Sequence, residues 1–342
     1  MRWKQLASVL VVGVLVAVSL VAAVDAVRSD DPTERPERPR AVAKPNPPAA
    51  RLEAEGIRGV LYYSDAEDDC RVHAVELPGL REVPPPKLRA CRFELPFDPD
   101  PAWVPRGATW HPRDHLSAAC TRGRVEVRER SGALVDEVEG CARAWKPDGT
   151  LTVVRDGEIW DIQRPCEGAC GRKLLPAVEL SQVAGSVRFA PRARRYLRSA
   201  TVFEVAWLSN TRAAVLVRVT LRGRLRVLGP VAVLALYEGR RLLRATQYAG
   251  AIALRVSPRR TFVGVVEAGG RVSIVGRNGR QRLGAADLPS PTTRAVAWSR
   301  DERWTAIATR WSVFLLPTAD IEAGRQPRIV RLPLAARDLA WR

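Results

Sequence analysis

The chain has 342 residues, 46% apolar and 27% charged, a composition that excludes a disordered chain or a collagen and leaves ample material for a buried core. Twenty-six prolines, 24 glycines and one methionine, with β-branched and aromatic residues in short runs, point away from a helical bundle and toward strands joined by turns. The net charge of +18 is lopsided, because residues 181–342 hold 29 arginines and nine acids while the rest is near neutral. A GC-rich genome favours arginine over lysine but does not explain why acids thin out in one half. An anionic partner is one reading of that asymmetry, and a solvated basic surface with no specific partner is the other.

Residues 6–24, LASVLVVGVLVAVSLVAAV, carry no charge. At 1.5 Å per residue they reach roughly 28 Å, close to the thickness of a bilayer core. Arg2 and Lys4 precede them, so the positive-inside rule keeps the first five residues in the cytoplasm and exports the chain beyond the span. A cleaved signal peptide ending at Val24-Asp25-Ala26 is the rival, although its apolar run is ordinarily about 7 to 15 residues. Residues 1–28 are therefore expected to form a short cytoplasmic end and a transmembrane signal-anchor. The protein is then a single-pass protein of the cell membrane with an extracytoplasmic C-terminal domain. Residues 29–50 contain six prolines and predict an extended stalk of up to about 70 Å. The folded domain is expected over residues 51–342.

Six cysteines in an exported domain read as disulfides rather than metal ligands. Cys70 and Cys91 are 21 residues apart, as are Cys120 and Cys141, and Cys166 and Cys170 form a tight CxxxC.

A short phrase recurs along the domain: Thr109-Trp110-His111-Pro112, Ala144-Trp145-Lys146-Pro147, Ala206-Trp207-Leu208-Ser209, Arg255-Val256-Ser257-Pro258, Ala297-Trp298-Ser299-Arg300 and Ala340-Trp341-Arg342. The first five are followed by a turn and a β-rich run, at residues 116–120, 151–154, 213–219, 262–266 and 304–309. A further strand comes after each, at 125–128, 158–162, 231–237, 272–275 and 312–316, which is the spacing of an all-β protein. The anchors at 110, 145, 207, 256, 298 and 341 are separated by 35, 62, 49, 42 and 43 residues, the lengths of β-propeller blades.

Trp145-Lys146-Pro147-Asp148-Gly149 resembles the Trp-Ser/Thr-Pro-Asp-Gly phrase of TolB-type and related WD-like propeller repeats, in which the innermost strand ends at that turn. The resemblance covers residues 57–342 and implies a six-bladed β-propeller. TolB-type proteins carry an α/β domain ahead of the propeller where this chain has a stalk, so their partners are not expected here. Residues 336–341 look like an inner strand with no second strand after it, and residues 59–63 like a second strand with no inner strand before it. Pairing the two closes the ring and removes open edges. The same closure sets Cys120 and Cys141 on one rim of adjacent blades, with Cys70 and Cys91 in the equivalent place one blade earlier. Phe189-Ala190-Pro191, inside the 62-residue interval, leaves a seven-bladed alternative; residues 171–200 otherwise read as an outer strand plus an insertion.

Groups for catalysis are sparse. The three histidines are His73, His111 and His115, and Pro112 precludes the helix that would align the last two on a metal. No catalytic, metal or cofactor residue is assigned, and no cofactor is expected. The acidic loop with Asp65, Glu67, Asp68 and Asp69 reads as a solvated hairpin, and Trp110, Trp145, Trp207 and Trp298 as packing between blades. The inner-strand phrases offer mostly Trp, Ala, Val and Arg, which argues against an enzyme acting through a central funnel. Arg192, Arg194, Arg195 and Arg198 crowd the insertion, and Arg222, Arg224 and Arg226 alternate, as on one face of a strand. Forked guanidinium donors suit phosphate and carboxylate. Outside the membrane the available anions are lipids and envelope polymers, not nucleic acid. The expected function is a non-enzymatic binding or scaffold module of the cell envelope, in contact with an envelope protein or an anionic polymer or lipid. A propeller hydrolase or lyase, and a ligand sensor signalling through a membrane partner, are the alternatives.

Overall fold

The computed structural model describes residues 48–65, 68–86, 88–95, 107–162, 171–175, 182–183, 197–222, 227–284, 288, 290 and 292–342. The predicted membrane span and nearly all of the stalk lie outside them. No helix among the described residues is long and apolar enough to cross a membrane.

Strands run through the domain in fours. The first sheet takes β1 (Gly59–Ser64), β2 (Val72–Leu77) and β3 (Arg81–Glu82), and the second β4 (Thr109–Trp110), β5 (Leu116–Thr121), β6 (Arg124–Glu129) and β7 (Leu134–Glu139). The third holds β8 (Cys141–Trp145), β9 (Leu151–Arg155), β10 (Glu158–Ile162) and β11 (Arg172–Leu175), and the fourth β12 (Leu197–Trp207), β13 (Arg212–Arg222), β14 (Val227–Glu238) and β15 (Arg241–Tyr248). The fifth comprises β16 (Ala251–Val256), β17 (Phe262–Glu267), β18 (Arg271–Gly276) and β19 (Gln281–Leu283). In the sixth are β20 (Thr293–Trp298), β21 (Trp304–Thr309), β22 (Val313–Pro317) and β23 (Val330–Leu332). The last strand, β24 (Asp338–Trp341), returns to the first sheet and pairs antiparallel with β1, Leu61 facing Trp341 and Ser64 facing Asp338. Six four-stranded antiparallel sheets, each with an anchor phrase on its innermost strand, are the blades of a β-propeller.

Burial follows the position of each strand in its blade. The second strands β17 and β21 are buried at every residue, because neighbouring blades cover both faces. The outer strand β7 is mostly exposed and carries Asp136, Glu137 and Glu139, charges that discourage pairing with another chain. Apolar clusters join successive blades. Val125 and Val127 meet Trp145 and Val153, Val154 and Ile159 meet Trp207 and Val215, and Leu216 and Leu234 meet Leu254 and Val265. Ile274 and Leu283 meet Trp298 and Ile307, and Ala306 and Leu315 meet Leu61 and Trp341. Between the first and second blades, residues 88–95 hold both sides: the Phe93 N–H donates to Asp338 Oδ2 at 2.9 Å, and Trp110 Nε1 donates to the Glu94 carbonyl at 3.2 Å.

The anchor phrase acts through its turn. Asp148 Oδ1 accepts the Thr150 N–H at 2.8 Å, and Ser257 Oγ accepts those of Thr261 and Phe262. Gly149 sits at φ 93°, and a Cβ there would overlap the His111 ring. Lys146, standing where the related phrase has Ser or Thr, reaches across its blade to Asp161 at 2.6 Å and lies over the Trp207 ring of the next blade.

Among the described residues, two short helices of six or seven residues pack against the sheets. α1 (Pro48–Ala54) begins inside the segment expected to be stalk, and its Leu52 is fully buried beside Ile57 and Leu332. Leu52 falls within the expected domain, and the helix carries the start of ordered structure back to Pro48. α2 (Thr318–Ala323), between β22 and β23, inserts Ile321 into the cluster shared by the fifth and sixth blades.

Two of the three expected disulfides are described. Cys70 and Cys91, Cα atoms 4.7 Å apart, tie the turn between β1 and β2 to the segment leading into the second blade. Cys120 and Cys141, 5.4 Å apart, tie β5 to the innermost strand of the third blade. Cys166 and Cys170 lie outside the described residues, as does Phe189-Ala190-Pro191; six sheets are present among those described. The second bridge joins neighbouring blades whereas the first ends on an interblade segment, and replacing Cys120 and Cys141 by Ala should lower the unfolding free energy by about 2–4 kcal/mol. Urea melts at fixed oxidation state measure it.

Candidate functional site

The innermost strands of all six blades face one axial channel. Its first cavity, ≈ 350 Å³, is lined by β4, β8, β12, β16, β20 and β24 and by residues 93–95. A second, ≈ 390 Å³, opens at the rim carrying the disulfides and is lined by Arg92, Arg255, Glu267, Arg294, Arg337 and Asp338 among others. Arg255 borders both.

Around Arg255 stands a cluster of charges, of which the inner-strand phrases were expected to supply the arginines but not the acids. Arg255 Nη2 donates to Asp338 Oδ2 at 2.8 Å, and its Nη1 lies 3.7 Å from Glu94 Oε1. Burial works against the Arg255 charge, but Asp338, Glu94 and Glu204 outweigh it and hold the guanidinium above the ordinary arginine range. Arg143 Nε donates to the Ala118 carbonyl at 3.3 Å, and burial draws its guanidinium below that range. Glu204 follows an irregularity in the β12–β13 register, where an extra residue bends the strand and re-aims its side chains.

Glu204 has no hydrogen bond or ion pair among the described residues. Burial pushes its carboxyl up from 4.5 to about 7; Glu94 adds to the shift, while Arg255 and Arg143 oppose it. A carboxyl poised there takes and gives protons at neutral pH. With a folded value above the unfolded one, its contribution to stability is complete below about 4.5 and is lost as pH rises through about 7. Glu204→Gln should therefore melt higher than the unmodified protein at pH 8, with the difference vanishing near pH 4. Thermal melts across that range check it.

The inner strands carry more acid than their phrases promise: Glu204 and Asp338 stand three residues before Trp207 and Trp341, and Glu94 joins them from the segment ahead of the second blade. Among the described residues no group of three His, Cys, Asp or Glu is arranged for a metal ion. His111 lies edge-on to Trp145 with ring centres 4.9 Å apart, and its Nδ1 accepts the Asp114 N–H at 2.7 Å. In the acidic loop, Asp68 contacts His73 and Asp69 contacts Arg89. Trp145, Trp207 and Trp298 are buried between blades as expected, and Trp110 is half-buried.

Arg192, Arg194, Arg195, Arg224 and Arg226 lie outside the described residues. The backbones of Arg198 and Arg222 come to the same end of the β12–β13 pair, where Leu197 faces Leu221. Arg222 pairs with Val227 in the β13–β14 ladder.

No protein-family model matches the chain, and no curated protein matches it. Among solved structures it is similar to the β-propeller domain of Cps50 (Swd1) from Myceliophteria thermophila, with 13% identity, 83% of this chain and 89% of that one covered, and a TM-score of 0.46.

Proposed function

We propose that this chain is a membrane-anchored, extracytoplasmic binding or scaffold module of the cell envelope with no chemistry of its own. In this proposal residues 6–24 span the membrane, the propeller stands outside the cytoplasm, and its six sheets form a closed ring with β24 as the clasp. The observation that supports it best is the disulfide-bearing rim. Bridges of this kind persist in oxidising compartments. The same rim presents Trp311, 59% exposed and covered on one face by Arg310, in the turn between β21 and β22. Exposed tryptophan and arginine are the residue types that dominate binding energy at protein interfaces. The partner is an envelope protein or an anionic polymer or lipid, the latter met by the arginines between residues 192 and 226.

Protease added to intact and then to opened cells tests the topology. The domain should resist carbonate extraction from membranes and be digested without lysis of the cytoplasm. Protection until the cytoplasmic membrane is breached contradicts it.

One observation favours a second function, a hydrolase or lyase acting on an envelope substrate through the channel: the Glu204 carboxyl, raised to about 7 beside Arg143 and Arg255. Turnover of an envelope polymer that is abolished by Glu204→Gln identifies that function instead.

A further inference from the structure

The mouth at the disulfide rim gathers more positive charge than its own structure uses. Arg92, Arg294 and Arg337 line it, and none has a side-chain hydrogen bond or ion pair among the described residues. Of the two acids lining it, Asp338 is engaged by Arg255 and by the Phe93 N–H, which leaves Glu267, while Glu204 on the first cavity also feels the Arg92 charge; three guanidinium groups still outnumber these two carboxyls. The floor is Arg255, whose Nε is buried with no hydrogen-bond partner. The inner-strand register is interrupted between Ala251 and Ala253 and between Thr293 and Ala295, and the extra residues, Ile252 and Arg294, both line this cavity. Bulges of this kind re-aim side chains next to sites. Like charges converging on one concavity repel unless an anion joins them.

We propose that this mouth binds a small oxyanion, a carboxylate or a phosphate, which enters from the disulfide rim and takes hydrogen bonds from Arg92, Arg294 and Arg337. Guanidinium forks match both oxyanions in geometry, and charge-assisted bonds of this type are the strong ones. The cavity, ≈ 390 Å³, lies within the range of about 300–1,000 Å³ common for small-molecule sites. The site needs neither the membrane anchor nor an envelope location, and it is separate from the arginines of residues 192–226.

Calorimetric titration of the full-length protein at low salt with citrate and with inorganic pyrophosphate tests the site. Saturable binding of one equivalent is expected for at least one probe, and the tighter of the two tells whether carboxylate or phosphate is preferred. Combined Arg294→Gln and Arg337→Gln should weaken it by about tenfold or more. Arg337→Lys, which keeps the charge but loses the fork, should weaken it less and protects the test against misfolding of the double variant. Arg241→Gln with Arg259→Gln, equal charge loss on exposed residues away from the mouth, should leave affinity unchanged. Absence of saturable binding of both probes, or equal weakening in that control, overturns the proposal.

Discussion

Removal of residues 336–342 is expected to unfold the whole domain in one cooperative transition rather than to fray one end. β24 is buried at all four residues and supplies the inner strand that the first blade lacks. Trp341, 1% exposed, donates its Nε1 to the Arg58 carbonyl, and the Arg342 backbone pairs with Val60 through two hydrogen bonds. Gly59, at φ 114°, has no Cβ because the Arg342 carbonyl and the Trp341 ring occupy that space. Trp341→Ala alone should cost about 3–5 kcal/mol, a large part of the roughly 5–15 kcal/mol that stabilises a typical domain. Deletion removes this and exposes the core faces of the first and sixth blades together. Differential scanning calorimetry reads the outcome; an unchanged melting temperature contradicts the clasp.

Asp338→Ala is expected to be the most damaging single polar substitution. The carboxylate is 4% exposed and joins three elements, β24 through its own backbone, β16 through Arg255 and residues 88–95 through the Phe93 N–H. Its loss leaves a buried guanidinium without its nearest counter-charge, at a cost of about 3–5 kcal/mol. Arg255→Met in the same chain should restore part of that loss, because removing both charges removes the unpaired one. Urea denaturation of the single and double variants measures both effects, and a single-variant cost under about 1 kcal/mol would place Asp338 among surface ion pairs.

Blade architecture was legible because the anchor phrase marks where each inner strand ends and the second strand begins within a few residues. The run expected at 304–309 is β21, and that at 158–162 is β10. Pairing of the chain ends was legible for a different reason: an inner strand without a successor and a second strand without a predecessor complete each other. α1 and α2 were not, since six or seven residues show too little helical period to stand out among prolines and turns.

The channel charges were missed although the sequence carries a signal for them. Counted back from the anchors, acids fall three residues before Trp207 and Trp341, and arginines four residues before Trp298 and Trp341. Their meaning depends on which face of a bulged strand points inward, and a bulge shifts that phase without a mark in composition. The arginine runs around residues 192 and 222 stood out by density alone, whereas Arg294 and Arg337 are 43 residues apart in sequence and meet only at the mouth.

A photocrosslinking residue substituted for Trp311, in full-length protein in its own membranes, tests the binding function most directly. The account predicts a discrete adduct with an envelope component from this position and none from an equivalent substitution of Arg241 on the outer strand β15. Absence of any adduct, together with turnover of an envelope substrate that Glu204→Gln abolishes, would contradict it and make the channel an active site.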